Sequence, residues 1–280
     1  MTGDRRALVL GGGGVTGVAW EIGLLYGLAE HGLDLTGADL FVGTSAGSVV
    51  AAQVTTGNPL EHMYAAQRAA ATGEIAARIG VGFYLRFAVA GLWPGDRRQA
   101  RARIGRAALR ARTAATEAER RAVIARRIET DEWPDQRLLI PAVAAESGET
   151  KVFDKDSGVS LVDAVAASCA VPLVWPPMTV NGTRYVDGGV RSVANVDLAK
   201  GHERVVVIAP MSRSARRAGR PDAQAAALGP GVRSVVVGPD AAAVTAIGPN
   251  ALDPGRRAPA AEAGRAQAAA AVARIREVWT

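Results

Sequence analysis

Leu40-Phe41-Val42-Gly43-Thr44-Ser45-Ala46-Gly47-Ser48-Val49-Val50-Ala51-Ala52 joins a short apolar run to a helix-compatible one through a Gly-x-Ser-x-Gly turn. A turn of that kind puts serine on a strained strand-to-helix elbow with its hydroxyl exposed. Glycines two positions either side let neighbouring backbones pass without a Cβ in the way. Ser45 is therefore a candidate nucleophile. The pentapeptide alone is not decisive in a chain with 32 glycines among 280 residues, so its context must carry the reading. A second strand-then-glycine junction stands upstream, where residues 7–10 run into Gly11-Gly12-Gly13-Gly14. Acyl transfer needs such a pair of junctions, because a serine hydroxyl requires donors for the oxyanion that forms when it attacks.

The surrounding pattern predicts an α/β fold. Runs ending at Leu10, Val42, Val143, Phe153, Val186, Ile208 and Val237 are short and rich in Val, Ile and Leu, as strands covered on both faces are. Helical spacing lies between them. Trp20, Leu24, Leu25 and Leu28 share one face of a stretch that stops near Gly32, and Thr116 with Glu119 forms a capping box ahead of Val123, Ile124 and Ile128. The Ala-rich C-terminal stretch 260–279 carries Val272, Ile275 and Trp279 along one face. Strands alternating with helices imply a mainly parallel sheet covered on both sides, in one domain over residues 1–280. The interval 57–134 offers no convincing strand and reads as a helical cap insertion. Its most apolar point is Phe83-Tyr84-Leu85-Arg86-Phe87, which suits either core packing or an acyl- or membrane-facing surface. The Arg-, Ala-, Gly- and Pro-rich stretches 212–230 and 248–259 read as surface loops.

Composition narrows the setting. With 49% hydrophobic residues the chain can bury a substantial core. Its single cysteine, Cys169, excludes an internal disulfide, suits a reducing compartment and reads as a small buried hydrophobe. Residues 1–6 run straight into a strand with no apolar signal segment, so a cytoplasmic protein is expected. The most apolar stretch, 79–93, is interrupted by Arg86 and falls short of the ~20 residues a membrane span needs. Net charge is +6, unevenly distributed: residues 97–127 hold eleven Arg against Glu117 and Glu119, a local +9, so the rest of the chain carries about −3. Such a run suits either a solvated face or peripheral contact with an anionic membrane. It lacks the interleaved aromatics that would stack bases, so no specific nucleic-acid partner is expected.

A serine nucleophile needs a base. His31, His62 and His202 are the only histidines; His202 just precedes the strand ending at Ile208, the wrong edge for a site at the carboxyl ends of parallel strands. The alternative is a carboxylate. Asp187 stands at the end of the run 183–186 with Gly188 and Gly189 behind it, placed to approach a serine, although Asp-Gly equally suits an Asx-turn.

Taken in order, Gly12-Gly13-Gly14-Val15-Thr16-Gly17, Gly43-Thr44-Ser45-Ala46-Gly47, Ala167-Ser168-Cys169-Ala170-Val171-Pro172 with Pro176-Pro177, and Asp187-Gly188-Gly189 with Asn195 resemble the motif set of the bacterial patatin-like phospholipases. The resemblance runs from about residue 6 to residue 210. It implies a three-layer α/β/α sandwich and hydrolysis of lipid acyl esters without a metal or cofactor. It also implies a Ser-Asp dyad of Ser45 and Asp187, with an oxyanion hole at Gly12, Gly13 and Gly14. The chain departs from the pattern at Thr16, where the family often carries Arg or Lys, a charge that could attract a phosphate or brace the loop.

Two other readings share these residues. Gly12-x-Gly14-x-x-Gly17 also satisfies a dinucleotide-binding fingerprint, but the acid that would hold a ribose at the end of the second strand is missing, since Asp39 precedes that strand. An α/β-hydrolase would set the same serine elbow in a histidine triad.

Overall fold

The computed structural model describes residues 4–70, 77, 96–211 and 219–280. The described elements, in chain order, are β1 (Arg6–Leu10), α1 (Gly14–Glu30), β2 (Leu40–Gly43), α2 (Ala46–Thr55), α3 (Leu60–Arg68), α4 (Arg97–Ala108), α5 (Glu117–Ile128), β3 (Arg137–Ala144), β4 (Thr150–Phe153), α6 (Leu161–Ser168), β5 (Met178–Val180), β6 (Thr183–Asp187), β7 (Arg204–Ile208), α7 (Pro221–Ala226), β8 (Arg233–Val237), α8 (Ala241–Ile247) and α9 (Arg257–Trp279). The strands form one sheet in the order β5-β6-β3-β2-β1-β7-β8, with β4 also paired to β3. The five strands from β3 to β8 in that order are parallel, and β4, β5 and β6 add antiparallel pairs.

Alternation along the strands builds the layers, because successive side chains point to opposite faces. Leu8, Leu10, Val206 and Ile208 enter the larger core with Trp20 and Leu24 of α1, Val50 of α2 and Ile275 of α9. Ala7, Val9, Val205 and Val207 face the other way, against Val196 and Ala199 of a single helical turn and Ala225 of α7. Helices thus cover both faces of a mainly parallel sheet, the architecture the alternation of strands and helices predicts. No helix among the described residues is long and apolar enough to cross a membrane.

Four of the seven predicted runs end as strands on the expected residue, at Leu10, Phe153, Ile208 and Val237, and the runs at Val42, Val143 and Val186 each continue by one residue. The three-residue β5 has too little sequence to announce itself. The stretch 212–230 is not all loop: Pro221, an amino acid that opens helices, starts α7, and Ala225 and Leu228 pack under the sheet. The Thr116 capping box forms as read, with Glu119 N–H donating to Thr116 Oγ1 at 3.2 Å and Thr116 N–H donating to Glu119 Oε2 at 2.7 Å. Within 57–134 the described residues form α3, α4 and α5; α4 lies against β3 and β6, and α5 against α2 and α6. The cluster 83–87 lies outside the described residues.

Candidate active site

The serine elbow is built by steric necessity. A Cβ on Gly43 would stand 2.6 Å from Ser48 Cα, and one on Gly47 would stand 2.1 Å from the Leu10 carbonyl oxygen, so both positions admit only glycine at this approach of β1 and α2. Between them Ser45 takes φ 51 and ψ −115, a left-handed conformation that costs a non-glycine residue on the order of 1–3 kcal/mol. Sheet register then supplies the partner. Val42 pairs with Leu139 and Asp187 pairs with Ala142, so Ser45, three residues past Val42, reaches the level of Asp187. The Ser45 hydroxyl donates to Asp187 Oδ2 at 2.6 Å, while Asp187 Oδ1 accepts the Gly189 N–H at 2.6 Å. The aspartate therefore forms its Asx-turn with one oxygen and meets the serine with the other. Both residues are buried, at 7% and 5% exposure, so the Ser45 hydroxyl is more enclosed than an open elbow would be. Burial pushes the Asp187 carboxyl up to about 6, against the opposing pull of the Ser45 and Gly189 hydrogen bonds.

The glycine loop lies against this pair: a Cβ on Gly12 would sit 3.6 Å from Ser45 Cβ. Its amides are not equivalent. Gly11 N–H donates to Ile208 O at 2.9 Å and Gly12 N–H to Val193 O at 2.7 Å, whereas the Gly13 and Gly14 amides have no hydrogen-bond partner among the described residues. Gly12 thus departs from the expectation of three donors, because its N–H is engaged in holding the loop to the segment after Asp187. Gly14, at φ 64, opens α1, so the Gly13 and Gly14 amides lie at the positive end of that helix. Thr16, which lacks the family's charge, is fully buried, and both its N–H and its hydroxyl donate to Ala251 O at 3.1 and 3.3 Å. That carbonyl occupies the end of α1 that a pyrophosphate would need, and Asp39 accepts the Arg6 N–H at the opposite end of β1. The dinucleotide reading finds no site here.

None of the histidines hydrogen-bonds Ser45 or Asp187. His31 and His62 are exposed, and His202 is buried at the start of β7 with Nδ1 3.1 Å from Ala199 O. No group of three or more His, Cys, Asp or Glu side chains among the described residues is arranged to hold a metal. Asn195 ties the elbow to the aspartate loop, its Nδ2 donating to Thr44 Oγ1 at 3.0 Å and Ser192 O at 2.8 Å. Arg191 Nη1 in turn donates to Asn195 Oδ1 at 2.6 Å. The arginine run is partly turned inward: Arg98, Arg101 and Arg106 donate to the carbonyls of Ser147, Gly148 and Glu146 in the β3–β4 turn, and Arg120 is buried with its guanidinium 3.8 Å from the Trp175 ring centre.

The model of the patatin-like phospholipase family matches residues 8–200. This chain belongs to that family. The patatin match takes in the glycine loop, the Ser45 elbow, the 167–172 segment and Asp187. Among solved structures, this patatin-family chain is similar to VipD from Legionella pneumophila, at 13% identity and a TM-score of 0.49 over 97% of this chain and 67% of that one. It is also similar to the type III effector protein ExoU, at 15% identity and a TM-score of 0.41 over 97% of this chain; it spans 53% of ExoU's length. No curated protein matches the chain.

Proposed function

We propose that this patatin-family protein is a serine acyl-hydrolase of lipid or other hydrophobic esters that works through an acyl-Ser45 intermediate, with Asp187 as the base. Family membership supports lipid acyl hydrolysis, and the 2.6 Å contact between Ser45 Oγ and Asp187 Oδ2 carries the assignment of the pair. Ser45 Oγ attacks the ester carbonyl carbon and its proton passes to Asp187. The oxyanion is held by the Gly13 and Gly14 N–H groups at the positive end of α1, each such donor being worth on the order of 3 kcal/mol to the transition state. Collapse breaks the bond to the alcohol, which leaves with the proton from Asp187. Water then attacks the acyl-enzyme, giving a proton to Asp187; as the bond from the acyl carbon to Ser45 Oγ breaks, Asp187 returns that proton to Ser45 Oγ, releasing the acid and free Ser45.

The experiment is hydrolysis of a lipid panel by wild type and Ser45→Ala, with fluorophosphonate labelling of both. Wild type should hydrolyse at least one ester class and label at Ser45 alone; equal labelling of Ser45→Ala would remove the nucleophile. Changing His31, His62 and His202 together to Ala should retain most of the activity. Loss at His202 with an unchanged circular dichroism spectrum would replace the dyad by a histidine triad. Peripheral contact with an anionic membrane rests on the 97–127 arginine run alone, and sedimentation with anionic and neutral vesicles at low salt reads it directly.

A further inference from the structure

Ala167-Ser168-Cys169-Ala170 takes no part in the chemistry above, yet it touches both members of the pair. Ser168 is fully buried, and its hydroxyl donates to Pro141 O at 2.7 Å. That bond fixes the direction of the O–H and leaves the oxygen to accept the Ser45 N–H at 3.0 Å. The next residue holds the other backbone polar group of Ser45: the Cys169 thiol donates to Ser45 O at 3.2 Å. Burial, with the Asp187 charge nearby, pushes that thiol up to about 11, so it keeps its proton and remains a donor at neutral pH. One residue further, Ala170 O accepts the Asp187 N–H at 3.0 Å. Pro141, which anchors Ser168, also backs Gly188, where a Cβ would lie 2.3 Å from the Pro141 carbonyl oxygen.

We propose that Ser168, Cys169 and Ala170 form a positioning tripeptide that holds Ser45 in its left-handed elbow and fixes its distance from Asp187. The inference rests on the Ser45-Asp187 reading. The hold is unequal. The Ser45 carbonyl has further donors in the Ser48 hydroxyl, at 2.6 Å, and the Ser48 N–H, at 2.9 Å, whereas Ser168 is the one partner of the Ser45 N–H among the described residues. Ser168 therefore carries the larger share, and neither side chain hydrogen-bonds the Ser45 hydroxyl oxygen.

The test compares kcat, KM and the rate of fluorophosphonate labelling in wild type, Ser45→Ala, Ser168→Ala, Cys169→Ala and Cys169→Ser, with folding followed by near-UV circular dichroism. Ser168→Ala should lose about 10²-fold in kcat and in labelling rate with KM unchanged, the cost of a nucleophile displaced by a fraction of its reach. Cys169→Ala should lose less, and Cys169→Ser, which keeps a donor, should recover the wild-type rate. Folded Ser168→Ala with wild-type turnover, or with raised KM and unchanged kcat, overturns the tripeptide's role. Should Ser168→Ala not fold, the two Cys169 variants decide: identical wild-type turnover in both overturns it, and rescue by Ser alone supports it. A wild type without esterase activity, or an active Ser45→Ala, instead brings down the reading beneath the inference.

Discussion

Asp187 divides its two oxygens between its own turn and the Ser45 hydroxyl, and under the proposed function its environment sets the pH at which the reaction runs. Oδ1 is held by the Gly189 N–H, so Oδ2 is fixed toward the Ser45 hydroxyl. A base must be ionised to accept a proton, and burial places this carboxyl at about 6. With the reading proposed above, kcat/KM for a soluble ester should climb as pH rises through about 6 and then level off. Asp187→Asn should lie roughly 10²- to 10⁴-fold lower and show no such rise, because an amide accepts no proton at any of these pH values. A wild-type profile flat from pH 4 to 8 would deny Asp187 the base's role. The meeting of Ser45 with Asp187 was legible because each sits at the end of a recognisable apolar run with glycines behind it. The state of the Gly12 amide was not legible: whether it is free depends on Val193 O, and only the fold brings that carbonyl near. Ser168 was visible within its motif but had no readable task, since both partners of its hydroxyl, Ser45 and Pro141, are tertiary.

At the scale of elements, the glycine loop is aimed by α1, and α1 is aimed by α9. The two helices meet backbone to backbone: a Cβ on Gly23 would lie 2.0 Å from Ala261 O, and one on Gly264 would lie 2.3 Å from Trp20 O. Helical spacing of Trp20, Leu24, Leu25 and Leu28, and of Val272, Ile275 and Trp279, was enough to find both helices. The small residues that let them approach carry no hydrophobic period, so the crossing was hidden. Gly23→Ala should act as overpacking, pushing the helices apart and lowering unfolding free energy by about 1–3 kcal/mol in a urea titration. An unchanged midpoint would mean the crossing yields at no cost. The arginine run teaches the same lesson in charge. Sequence shows that the positive residues cluster but not that Arg98, Arg101 and Arg106 are drawn to the carbonyls of one turn.

At the scale of the whole molecule, buried carboxyls set how stability follows pH. Glu21 is fully buried on α1, and neither carboxyl oxygen has a hydrogen-bond partner among the described residues. The Gly11 amide beside it is already engaged with Ile208 O. Burial therefore holds the Glu21 carboxyl well above its ordinary value of 4.5, so the native protein keeps this proton at pH values where an exposed glutamate has begun to lose it. The unfolded chain does not. As pH rises past about 4.5 the unfolded state releases a proton that the native state retains, so the balance shifts toward unfolding until the native carboxyl itself ionises. Asp187 acts in the same sense between 3.8 and about 6. The fold should therefore be most stable on the acid side of neutrality with respect to these two groups. Glu21→Gln keeps the side chain's shape and removes its titration. Its melting temperature should match wild type near pH 4, then exceed it by a margin that widens with pH, as scanning calorimetry from pH 4 to 8 would show. A difference that stays constant across that range would mean Glu21 ionises alike in both states.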